Sequence, residues 1–329
     1  TEVLDQLLAF LPLCVKNNQH LLTAKVIDNI FLALDCLEAN NFAANTLWIR
    51  SLKAVGLLAI KKRDQALFRE INQRLYNNNA FAAHQEEGVV PALLAWLQGI
   101  VKKDDQELYQ VWQESLLHLY NGRVISAHGL RKLWRECQKA AGTASLNPYS
   151  QMAAKILDTT LRLPMTEGDM ELFKIALSGG RQTAALAINR YGLEQGFQMM
   201  FPLFDVGRDL LLSELRFGGY ARVDNFRQKA MSLLFKEYTL LMEMAARQDI
   251  TATAGDIIAD LAKVWLAYSD ALGSKKSIHK FCQLLFLYWL KQRQPKRSYV
   301  PPEIFAQTPN LTATEQAALQ FLLDTDVLA

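Results

Sequence analysis

Apolar residues recur along this chain at intervals of three and four, as in Leu47, Ile49, Leu52, Val55, Leu58 and Ile60, the spacing that gathers them on one face of a helix. Strand patterns, in which Val, Ile, Thr and aromatic residues alternate between tight turns, are almost absent. The periodicity predicts helices near 2–16, 20–38, 42–61, 65–77, 90–101, 105–120, 127–140, 148–162, 167–190, 203–216, 223–247, 253–271, 275–293 and 312–323. Connections this short suit antiparallel packed neighbours. The expected fold class is therefore all-α: stacked antiparallel helical hairpins, forming an α-α superhelix or a less regular helical array.

Several boundaries carry their own chemistry. Asn147 before Pro148 reads as an N-cap with proline at the first helical position, where its missing N–H costs nothing. Thr312 with Glu315 has the spacing of a capping box, and Asp104 with Glu107 is a weaker pair of the same kind.

One internal similarity stands out. Lys61-Lys62-Arg63-Asp64-Gln65-Ala66-Leu67-Phe68 returns as Lys102-Lys103-Asp104-Asp105-Gln106-Glu107-Leu108-Tyr109, 41 residues on. Each copy follows an apolar helix and opens another that ends in Leu-Tyr-Asn, at 75–77 and 119–121. The physical sense is a hairpin turn in which bases sit at one helix C-terminus and an Asp caps the next helix, both favourable to the helix dipoles. Over about residues 47–121 this period resembles helical repeats of the HEAT and armadillo kind, and the hairpin form resembles tetratricopeptide repeats. The resemblance implies a surface for binding a protein or peptide.

The chain has 329 residues, 50% of them apolar and 21% charged, which is ample for a core. Two helical regions are expected, 1–142 and 148–329, divided near Ala141-Gly142-Thr143-Ala144-Ser145 or joined in one continuous body. The second holds a Gly/Arg-rich segment, 178–227, with Gly179, Gly180, Gly192, Gly196, Gly207, Gly218 and Gly219, where helices either pack closely or break.

The net charge of +3 gives no reason to expect nucleic acid. Cys14, Cys36, Cys137 and Cys282 are scattered singly, which reads as reduced, buried thiols of a cytoplasmic protein. No apolar run is long enough to span a membrane, the longest being 281–290. The first residues lack a signal-peptide pattern. The opening on Thr1 reads as a piece of a longer polypeptide, whose flanks could hold an anchor or a catalytic domain.

Catalytic patterns are missing. His20, His84, His118, His128 and His279 form no HExxH or HxxxH pair, so no metal site is expected, and His118 and His128 near Glu114 and Cys137 are the nearest thing to one. There is no Gly-x-Ser-x-Gly elbow. Leu177-Ser178-Gly179-Gly180-Arg181-Gln182 resembles the LSGGQ signature of ABC-transporter ATPases, but no Gly-x4-Gly-Lys-Ser/Thr loop accompanies it; it reads as coincidence. No catalytic residue and no cofactor are assigned.

Two basic sets remain as candidate sites. Arg181, Arg190, Arg208, Arg216 and Arg222, with Arg227, lie among glycines, and arginine grips phosphate or carboxylate through paired hydrogen bonds. They could hold an anionic small molecule or an acidic peptide, but neutralisation by Glu194, Asp205, Asp209, Glu214 and Asp224 in surface ion pairs is the favoured reading. Lys275, Lys276, Lys280, Lys291, Arg293, Lys296 and Arg297 form a basic block without acids, followed by Glu303, Glu315, Asp324 and Asp326 without bases. Compensation between the two blocks is the favoured reading there, ahead of nucleic acid. The functional expectation is a non-enzymatic protein or peptide interaction module. Its alternatives are a regulatory helical domain that recognises an anionic small molecule, and an all-α enzyme whose site is assembled only by the fold.

Overall fold

The structure, a computed structural model of the chain, describes residues 2–37, 42–77, 86–147 and 149–192, together with positions 206, 226, 229, 230, 233, 234 and 237. The all-α expectation holds among these residues. Their helices are α1 (Glu2–Lys16), α2 (His20–Asp35), α3 (Phe42–Lys62), α4 (Gln65–Asn77), α5 (Glu86–Lys103), α6 (Gln106–Asn121), α7 (Ala127–Ala144), α8 (Met152–Glu167) and α9 (Met170–Tyr191). Two compact units divide the chain, Thr1–Ala144 and Ser145–Ala329.

The first unit is a stack of hairpins. Helices α1 and α2, α3 and α4, and α5 and α6 pack as consecutive pairs, while α3 packs on α5, α5 on α7 and α4 on α6. Odd-numbered helices thus form one layer, and α4 and α6 lie in the other. Between the layers lie Trp96, Trp112 and Trp134, all fully buried. Burial of side chains this large is the main favourable term in holding the layers together.

The turns within the hairpins follow one design. In α1/α2, α3/α4 and α5/α6 the chain leaves the first helix through a left-handed residue, Asn18, Arg63 or Asp104, with φ of 55, 57 and 52°. The next N–H then reaches back five residues, from Gln19 to Cys14, Asp64 to Ala59 and Asp105 to Ile100. These bonds satisfy helix-end carbonyls in the Schellman manner. Asp64 and Asp105 go on to accept the N–H of Leu67 and Leu108, at 3.0 and 3.1 Å, so the expected Asp caps are present. The cap of α6 is Asp105 and not Asp104, because Asp104 is the left-handed residue that ends the previous helix.

Other boundaries depart from the sequence reading. Asn147 is not the cap of the next described helix: its carboxamide oxygen accepts the Tyr149 N–H, and α8 starts at Met152. Helix α7 continues through Gly142 to Ala144 because Ala140, Ala141 and Ala144 are buried. Thr312 and Glu315 lie outside the described residues.

In the second unit α8 and α9 form a further hairpin with the same kind of turn. Gly168 takes the left-handed place (φ 70°), Asp169 N–H reaches Pro164, and the Asp169 carboxylate accepts from Glu171 and Leu172. Gly179 and Gly180 are buried inside the unbroken α9. Of the two outcomes expected for glycine there, close packing is the one observed.

The tightest packing lies between α3 and α5. The Trp96 indole rests on Gly56, where an added Cβ would fall 2.4 Å from Nε1, and its N–H donates to the Lys53 carbonyl at 3.2 Å. Gly56→Ala is expected to lower stability by about 1–3 kcal/mol despite alanine's better helix propensity. Gly99→Ala, whose Cβ would meet the movable Ile60 side chain at 3.2 Å, should cost less. Urea unfolding of the two variants checks this, and a Gly56→Ala protein more stable than the parent would refute the packing.

Candidate functional site

Among the described residues no group of three or more His, Cys, Asp or Glu is placed to hold a metal ion. His118 is exposed and stacks on Tyr76, ring centroids 4.4 Å apart. Cys137, its neighbour in the sequence reading, is fully buried, and burial together with the nearby Glu136 carboxylate pushes its thiol pKa well above the ordinary value. Cys14 is also buried, whereas Cys36 is exposed, which corrects the expectation of buried thiols at that position. Cys36 lies just past α2 on a partly exposed turn, and Cys282 lies outside the described residues.

The Gly/Arg set is only partly described. The Arg181 guanidinium is half-buried and pairs with Glu237 at 3.4 Å. Arg190 is exposed, with its guanidinium 5.7 Å from the Tyr191 ring centroid. Arg208, Arg216, Arg222 and Arg227 lie outside the described residues, as do Lys275, Lys276, Lys280, Lys291, Arg293, Lys296 and Arg297. The LSGGQ-like letters sit in the middle of α9 with Leu177, Gly179 and Gly180 buried. A buried helical stretch cannot present those backbone N–H groups to a phosphate.

A different surface emerges from the first unit. Helix α3 exposes Arg50 and Lys61, with Lys53 and Leu57 on the same stripe, at the spacing of one helix face. Helix α7 presents Lys132, Arg135 and Lys139, with Arg131 beside them. Between them α5 offers half-buried Pro91, Leu94 and Ala95 and exposed Gln98 and Lys102. No acid occurs in α3, and α7 has only Glu136, which Lys139 engages. Arg50 reaches Asp5 of α1 at 3.2 Å, both groups exposed. In the other layer α6 carries Glu107 and Glu114 and neither Lys nor Arg. Helices α3 and α7 thus carry basic stripes on either side of an apolar strip on α5, whose first turn holds Glu86 and Glu87, and α6 carries acids without bases.

The sequence reading missed this surface, although a signal was there: residues 39–63 hold Arg50, Lys53, Lys61, Lys62 and Arg63 and no Asp or Glu. Those bases are diluted by apolar neighbours that the fold turns inward.

No protein-family model matches the chain, and no curated protein matches it. A solved structure described as a circular tandem repeat protein with novel repeat topology and enhanced subunit contact surfaces aligns over 98% of this chain and 95% of that one, with 14% identity and a TM-score of 0.33. At that score the likeness carries no argument, and the helical character rests on the helices themselves. No described helix is long and apolar enough to cross a membrane.

Thiol labelling checks the burial that shapes this unit. In the native chain Cys36 should react with a small disulfide reagent within minutes, while Cys14 and Cys137 react only after unfolding. Rapid native labelling of Cys137 would contradict its placement in the core.

Proposed function

We propose that the first unit is a non-enzymatic scaffold whose surface on α3, α5 and α7 binds an acidic segment of a protein. The carrying observation is the pairing of two exposed basic stripes, on α3 and α7, with the apolar strip of α5 between them. A segment that alternates acidic and apolar side chains would find contacts for both on neighbouring helices. Charge supplies steering and register, and burial on Leu94 and Pro91 supplies affinity. Stacked hairpins support this reading because their successive helices offer a continuous surface to an extended partner.

The probe is a fluorescein-labelled peptide of alternating Glu and Leu, followed by anisotropy. Binding should weaken as salt rises. The double variant Lys132→Glu/Arg135→Glu should lower affinity about tenfold or more, whereas Glu107→Lys/Glu114→Lys on α6 should not lower it. Equal binding of a Gln/Leu peptide, or tighter binding of a short RNA, would overturn the proposal.

A further inference from the structure

Helix α1 has two different sides. Leu4, Leu8, Leu11 and Cys14 are buried against the helices it packs on, α2 and α3, and Asp5 reaches Arg50 of α3 on one flank of that buried line. On the other flank Val3, Phe10 and Leu13 are exposed to 65, 43 and 53%. At roughly 100° per residue this second row points away from α3, at the end of the stack. Among the other described helices of the first unit α2 leaves Leu21, Leu22 and Leu32 exposed, but these do not follow one another at intervals of three and four.

The spacing of that row is specific. Val3, Gln6, Phe10 and Leu13 follow one another at intervals of three, four and three, the a and d positions of a coiled-coil seam. The residues that flank the seam, at the position before each a, are Glu2, Ala9 and Lys16. Acid stands at one end of this row, a small residue in the middle and base at the other end. Two copies of α1 laid parallel would set Glu2 beside Leu7 of the second copy and give it no charge partner. Laid antiparallel about a two-fold axis, they set Val3 on Leu13 of the second copy and Gln6 on its Phe10. The same arrangement faces Glu2 with Lys16 twice, by symmetry.

We infer that the chain forms an isologous dimer through an antiparallel α1–α1 contact, with a second copy of this chain as the occupant of the exposed seam. The row complements itself in both apolar register and charge, as a two-fold interface requires. A seam of four positions per copy is short, so the dimer dissociates in the micromolar range. The α1–α1 contact is independent of ligand binding on α3, α5 and α7.

Sedimentation of the full 329-residue chain from about 1 to about 100 μM tests it. The mass should climb from 37.2 kDa toward twice that value. Phe10→Glu should keep the chain monomeric throughout, with an unchanged far-UV spectrum that shows it folded. Glu2→Lys and Lys16→Glu should each weaken the dimer about fivefold, and the two changes together should restore it. A misfolded variant would not show that rescue. A chain that stays monomeric at every concentration overturns the inference. So does a dimer indifferent to Phe10→Glu, or a double swap no better than either single change. If Leu13→Cys in a monomeric chain is shielded from a thiol reagent, another segment of the same chain covers α1 and the inference also fails.

Discussion

Everything in the first unit depends on how closely α3 and α5 approach. Gly56 removes the side chain that would clash most severely between them, and Trp96 lies across the gap with its indole N–H on the Lys53 carbonyl. Phe68 of α4 meets the same indole edge-on, with ring centroids 5.5 Å apart, so one residue joins the two layers. The spacing it sets lets Ser115 of α6 reach Asn72 of α4 at 2.6 Å in the buried interior. It also lets Arg63 at one turn reach the Lys103 carbonyl at the next, 3.2 Å away. A buried hydroxyl bonded to a buried amide leaves neither group unsatisfied, so the polar contacts reinforce a register that the apolar ones establish.

The hairpin architecture was legible because its turns are written in local chemistry. Lys61 to Asp64 and Lys102 to Asp105 announce a helix end and a helix start, and both are found there. The hairpin of α1 and α2 has the same backbone turn but escaped comparison, since Gln19 stands where the others have a capping Asp and makes no side-chain cap. The turn of α8 and α9 escaped for a different reason. Its left-handed residue is Gly168, preceded by Thr166 and Glu167, so no Lys-Lys pair stands before Asp169 to align. Backbone geometry is shared by all four turns, whereas sequence similarity reaches only the two with Lys-Lys and Asp.

The candidate surface was less legible. Dense runs of charge are visible in the sequence, in the Gly/Arg segment and at the basic end. Arg181 proves to be matched by Glu237, a partner 56 positions away that spacing could not reveal. The bases of α3 and α7 form no run. They become a surface only when α5 sets the two helices on either side of itself, which is a property of stacking and not of either segment alone. Gly56 was likewise unremarkable in the sequence, because its meaning depends on an indole forty residues further along.

The proposed working face of the first unit is the surface of α3, α5 and α7. Lysine-directed covalent labelling, read by mass spectrometry with and without the acidic peptide, tests it most directly. Lys53, Lys61, Lys132 and Lys139 should lose reactivity on binding, while Lys25 on α2 should not change. Protection of Lys25, with Lys132 and Lys139 as reactive as before, would contradict it.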